Sequence, residues 1–186
     1  MSWQIVQLRD VAPTPWRNGG GVTRELTAWP NASEWIWRMS VAEVASSGPF
    51  SRFEGVQRWF AVLSGAGVRL SIGGQMQELT RSSAPLCFDG ASPVDCQLLD
   101  GATQDFNLML RSGIASAQMQ RVSGVLKLDT GVSTVVAVYA VGTGAKVYFN
   151  HQILTVPAHS LAWRQLPANA AVRVESADAL CMEITP

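Results

Sequence analysis

Arg38 sits inside an apolar run, Trp35-Ile36-Trp37-Arg38-Met39-Ser40-Val41-Ala42, where an unpaired charge would cost several kcal/mol. It needs an anion. The chain offers Glu25, Glu43 and Asp105 as structural partners, and a ligand carboxylate is the other solution, since a guanidinium grips carboxylate through two parallel hydrogen bonds. Arg58 ends the segment Gly48-Pro49-Phe50-Ser51-Arg52-Phe53-Glu54-Gly55-Val56-Gln57-Arg58, in which aromatic and polar side chains alternate just ahead of a strand beginning at Trp59. That position lets Arg58 reach the mouth of a barrel. Asn18, Glu25, Ser51, Asp105 and Asn107 add the polar and acidic groups that would satisfy amide or formyl parts of a ligand. Gly19-Gly20-Gly21 follows Asn18 and admits two readings, an ordinary loop or a backbone nest that turns N–H groups toward an anion. Asp89 stands before Gly90, as turn residues do.

Other chemistries lack parts. A metal centre needs several ligands at one point, and the chain has two histidines, His151 at an expected hairpin tip and His159 after a proline-containing bend. They read as exposed or capping residues, and no metal or other cofactor is expected. Ser40 and Ser51 have no histidine near them in sequence, so no nucleophile with an adjacent base is visible. The enzymatic alternative is proton transfer by Glu25 or Asp105, with a pKa raised by burial, in an isomerase, lyase or hydrolase reaction. Binding is the preferred reading, because complementary charge pairing gives it a mechanism.

The elements that must hold these groups are strands. Trp35, Trp37, Met39 and Val41 fall on one face of an extended segment and Ile36, Arg38, Ser40 and Ala42 on the other. Similar runs cover 59–63, 68–72, 97–99, 106–110, 135–141, 146–149 and 171–175, separated by breakers such as Gly73-Gly74 and Asp100-Gly101. The one helical candidate, Ala42 to Ser46, is a turn or two long. The class is therefore all-β, a sandwich or barrel. Residues 63–79 also align without a gap on residues 140–156, at an offset of 77: Gly65 on Gly142, Gly67 on Gly144, Arg69 on Lys146 and Gln75 on Gln152. Both copies read as strand, Gly-x-Gly bend, strand, two-residue turn, strand. This duplicated unit resembles the core of the cupin fold. The expectation is a bicupin whose halves, 1–115 and 116–186, pack as one body, with the pocket in the first.

Composition narrows the partners. Charged residues make up 15% of the 186 and the basic and acidic counts, 14 each, cancel, so a packed domain is expected and a nucleic-acid partner is not. Cys87, Cys96 and Cys181 are scattered among apolar neighbours and read as reduced, buried thiols. The first residues lack a basic, then apolar, leader, and no apolar stretch approaches the ~20 residues that span a bilayer. A cytoplasmic location without membrane contact follows as the expectation; monomer and homodimer both stay open.

The motifs Pro15-Trp16-Arg17-Asn18-Gly19-Gly20-Gly21-Val22-Thr23-Arg24-Glu25, Trp37-Arg38-Met39-Ser40-Val41-Ala42, Gly48-Pro49-Phe50-Ser51-Arg52-Phe53, Gly55-Val56-Gln57-Arg58 and Asp105-Phe106-Asn107-Leu108-Met109 resemble, in order and spacing, those of the HutD/Ves family over roughly residues 3 to 112. The resemblance implies a bacterial cytoplasmic bicupin. For the HutD branch it implies a part in histidine utilisation, in which the protein senses or buffers N-formylglutamate or a related intermediate. For the Ves branch it implies a link to cold and stress responses.

Overall fold

Short runs rich in Val, Ile, Phe and Trp and broken by glycine favour extended backbone over helix. The computed structural model, which describes residues 2–186, is built accordingly. Its strands are β1 (Gln4–Gln7), β2 (Thr14–Pro15), β3 (Gly21–Trp29), β4 (Trp37–Val44), β5 (Gly48–Pro49), β6 (Val56–Ser64), β7 (Val68–Ile72), β8 (Gln75–Leu79) and β9 (Leu86–Asp89). They continue as β10 (Val94–Leu98), β11 (Thr103–Arg111), β12 (Ser116–Asp129), β13 (Thr134–Ala140), β14 (Ala145–Phe149), β15 (Gln152–Val156), β16 (Ser160–Leu166) and β17 (Ala171–Thr185). Among the described residues the helical segment is one 3-10 turn, Leu8–Asp10.

The chain divides into two compact units. The first, Ala12–Ile114, has a six-stranded sheet in the order β2-β3-β4-β11-β6-β9 and a four-stranded sheet in the order β5-β10-β7-β8. Val44, Phe60 and Val62 of the larger sheet pack with Val68, Leu70, Leu79, Val94 and Cys96 of the smaller. The second unit joins Ala115–Pro186 to the segment ending at Val11, because β1 pairs antiparallel with β16 and the Leu8 N–H donates to the His159 carbonyl at 2.9 Å. The division is therefore not the expected cut at residue 115 alone: the N-terminal strand lies in the unit built by the later sequence. In that unit β17 bridges what the first unit keeps apart. It pairs with β14 over Arg173–Glu175 and with β13 over Ala179–Ile184, whereas Asp100-Gly101 splits the corresponding segment into β10 and β11. Val136, Val138, Ala162 and Cys181 pack there with Val147, Phe149 and Val156.

The 77-residue echo is a structural one. Ile72 pairs with Gln75 around Gly73-Gly74, and Phe149 pairs with Gln152 around Asn150-His151; all four turn residues have positive φ, 54°, 86°, 48° and 60°, the mark of the primed hairpin turns. Gly67 (φ 116°) and Gly144 (φ 84°) occupy the corners, where an added Cβ would stand 2.4 Å from the Leu79 carbonyl oxygen and 2.9 Å from that of Val156, positions again 77 apart.

One expectation fails at the level of elements, and one long strand was not foreseen. Ala42 to Val44 is strand and not helix, since β4 pairs with β3 on one side and β11 on the other; two ladders of hydrogen bonds outweigh a weak local propensity. The 14-residue β12 carries no alternation legible in sequence, because its buried positions, Met119, Val122 and Leu128, do not keep period two. The register shifts between Val122 and Gly124, which moves later side chains to the other face.

Candidate functional site

Alternation along four strands of the first unit opens a cavity of about 670 Å³. Arg38, Ser40, Ala42 and Val44 form one face of β4 and all line it, while Trp37, Met39 and Val41 on the opposite face are buried. Thr23 and Glu25 reach it from β3, Arg58 and Phe60 from β6, Asn107 and Met109 from β11. The hairpin tip Trp16-Arg17-Asn18 and the residues Pro49, Phe50, Ser51 and Phe53 complete the wall. These are the motifs singled out by sequence.

Arg58 is the most constrained group. It is 5% exposed, and its rows of the sheet place it between Phe88 on β9 and Met109 on β11. One guanidinium nitrogen donates to Asn107 Oδ1 at 2.9 Å, another lies 3.4 Å from the Ser51 carbonyl, and Nε has no partner. The rings of Phe50, Phe53 and Phe88 stand 5.2–5.7 Å away. No carboxylate of the described residues pairs with it. Burial first, and then the neighbouring charge of Arg38, lower its pKa to about 10, so it remains a cation near neutral pH. Arg38 is half-buried between the rings of Trp35 (4.8 Å) and Phe53 (5.2 Å), and its Nη1 lies 3.6 Å from Glu25 Oε2. Burial lowers its pKa, with Glu25 opposing and Arg111 adding to the effect. Of the three acids open to Arg38, Glu25 is thus the partner. Glu43 points to the other face of β4 and meets Arg24.

Six of the seven expected site residues, Asn18, Glu25, Arg38, Ser51, Arg58 and Asn107, line this cavity. Asp105 does not. It shares the interior face of β11 with Asn107 but lies two residues earlier in the strand, in register with Ala42 and Val62, and is fully buried. Thr103 Oγ1 donates to Asp105 Oδ2 at 2.8 Å and Oδ1 has no partner; burial raises its pKa to about 7, against the lowering effect of Thr103. A carboxyl sealed from the cavity cannot serve a bound molecule as acid or base. The enzymatic alternative retains Glu25 alone.

The nest reading of the triple glycine also fails. Gly19 N–H donates to the Trp16 carbonyl, Gly20 N–H to Asn18 Oδ1, and the Gly20 carbonyl accepts from Ala45 and Ser46. The N–H groups of Gly19 and Gly20 are thus spent within the hairpin. Gly21 is required by contact, since a Cβ there would stand 2.3 Å from the Glu43 carbonyl oxygen. Sequence reasoning made the segment from Trp16 to Glu25 a wall of the pocket without giving Trp16 or Arg17 a binding role, and it did not assign Phe53 or Met109 to the site. Arg17 carried no signal that separates it from a solvated turn residue.

The HutD family profile matches residues 8–182. The chain belongs to the HutD family. It is 38% identical over 134 residues, 71% of its length and 70% of the relative's, to an uncharacterized 21.2 kDa protein in the hutC 3′ region of Pseudomonas putida. It is 39% identical over 106 residues to Protein Ves of Cronobacter sakazakii, covering 56% of this HutD-family chain and 59% of that protein. The solved structure of HutD from Pseudomonas fluorescens SBW25, in a formate condition, superposes with a TM-score of 0.86 at 31% identity, covering 99% and 98% of the two chains. A Bacillus subtilis oxalate decarboxylase matches at TM-score 0.64 and 11% identity, a likeness of fold alone, and the β architecture is cupin-like.

Elsewhere in the HutD-family chain, Cys96 and Cys181 are buried free thiols and Cys87 is half-buried. His151 and His159 are exposed, both in left-handed turns. Among the described residues no three of His, Cys, Asp and Glu converge on a point that could hold a metal ion, and no helix is long and apolar enough to cross a membrane.

Proposed function

We propose that this HutD-family chain binds a small carboxylate metabolite, with N-formylglutamate as the leading candidate, and acts in histidine utilisation by sequestering it. One observation carries the reading: Arg58 is a buried cation that no acid among the described residues neutralises, at the floor of a cavity large enough for such a ligand. A ligand carboxylate would supply the missing charge, while Asn107, Asn18, Ser51 and Glu25 offer donors and acceptors for an amide and a formyl group. Arg38 adds positive charge beside it, part-offset by Glu25. The family, and a relative located beside hutC, support the pathway.

Calorimetric titration of N-formylglutamate, glutamate and urocanate tests this. The expected result is binding of N-formylglutamate, weakened at least tenfold in Arg58→Gln, since a hydrogen bond to a charged group contributes about 1.5–3 kcal/mol. Binding that survives Arg58→Gln unchanged, in a variant with wild-type circular dichroism, would defeat the proposal.

A further inference from the structure

Three arginines and one glutamate line the cavity, and the arginines differ in what holds them. Arg58 is buried at the floor without an acid. Arg38, with a side chain 24% exposed, is engaged by Glu25 at 3.6 Å, by two aromatic rings and by Met109 Sδ at 3.3 Å from its Nη2. A ligand must compete with those contacts to use it. Arg17 is exposed and forms no ion pair among the described residues. Cations without an acid partner therefore line the cavity at two depths, one buried and one exposed.

The backbone under Arg17 is fixed although its side chain is not. Trp16 N–H donates to the Gly21 carbonyl at 2.9 Å, Gly19 N–H to the Trp16 carbonyl at 3.0 Å, and the Trp16 indole N–H to Thr23 Oγ1 at 2.8 Å. The Trp16 ring meets Phe50 edge-on at 6.3 Å, which ties the hairpin to the opposite wall. A guanidinium on such a base samples the mouth while its Cα stays in place, so the entropy lost on engaging a ligand is that of one side chain.

We propose that Arg17 is a specificity residue: the cavity favours dicarboxylates over monocarboxylates because a first carboxylate occupies Arg58 and a second, at the other end of the ligand, is met by Arg17 at the mouth. The inference rests on the assignment of Arg58 to a ligand carboxylate. It adds that a ligand with one acidic end uses half of the available charge. Engagement of an exposed arginine is a small effect, on the order of a fivefold change in affinity.

Glutarate and butyrate, titrated calorimetrically into the wild type and into Arg17→Gln, Arg52→Gln and Arg58→Gln, decide it. Arg52 is an equal loss of charge outside the cavity lining; its Nε donates to the Ala91 carbonyl. The wild type should bind glutarate severalfold more tightly than butyrate. Arg17→Gln should remove most of that preference by weakening glutarate about fivefold and leaving butyrate unchanged, and Arg52→Gln should alter neither. A wild-type preference retained in Arg17→Gln, or equal weakening of both acids, overturns the role of Arg17 while leaving Arg58 in place. Failure of both acids to bind the wild type, or butyrate binding unaffected by Arg58→Gln, removes the Arg58 assignment itself and this inference with it.

Discussion

A carboxyl that solvent does not reach holds its proton to higher pH, and Asp105 does so between Ala42 and Val62 with one oxygen unpartnered. Its folded pKa, about 7, lies above the ordinary value near 4. The folded state therefore binds the proton more tightly than the unfolded state, and this group's contribution to stability is full below about pH 4 and declines as pH rises toward 7. Urea denaturation of the wild type and Asp105→Asn across pH 4 to 8 should find the variant gaining relative stability over that window, by up to a few kcal/mol. A difference that does not vary with pH would show that Asp105 keeps its ordinary pKa when folded. At this scale the sequence marked Asp105 as polar and strand-borne but could not place it, because depth along a strand face depends on what the neighbouring strands put beside it. Arg38 shows the same limit from the other side: its place in an apolar run with Trp35, Trp37 and Met39 demanded an anion, and pairing across strands chose Glu25 over Glu43.

Elements were legible where one period ruled. β7 matched its predicted span, and both hairpins of the 77-residue echo turned at the predicted residues. β12 was missed because a bulge at Gly124 breaks its alternation, and β1 because a four-residue edge strand carries too short a pattern. The corner glycines can be tested directly. Gly67→Ala should destabilise the protein by about 2 kcal/mol or more, since φ of 116° and a Cβ pressed on the Leu79 carbonyl act together. Gly73→Asn should cost well under that in the same urea titration, because the turn site is open and Asn150 already occupies its counterpart. Equal losses in the two variants would contradict this reading of the corner.

On the scale of the whole molecule, a chain of zero formal net charge concentrates three arginines against one glutamate in a single cavity of its first unit. Such a cavity draws anions in a way that salt weakens. Binding to the folded state alone stabilises it by about 2.7 kcal/mol at a hundredfold excess over Kd. Thermal unfolding should therefore shift upward with N-formylglutamate, less so at high ionic strength, and not at all in Arg58→Gln. A shift of equal size in that variant would place the ligand elsewhere. The most direct measurement is a crystal structure of the protein with N-formylglutamate. The account predicts a ligand carboxylate within hydrogen-bond distance of the Arg58 guanidinium, beside Asn107. A ligand seated outside this cavity, or one that leaves Arg58 without an anion, would contradict it.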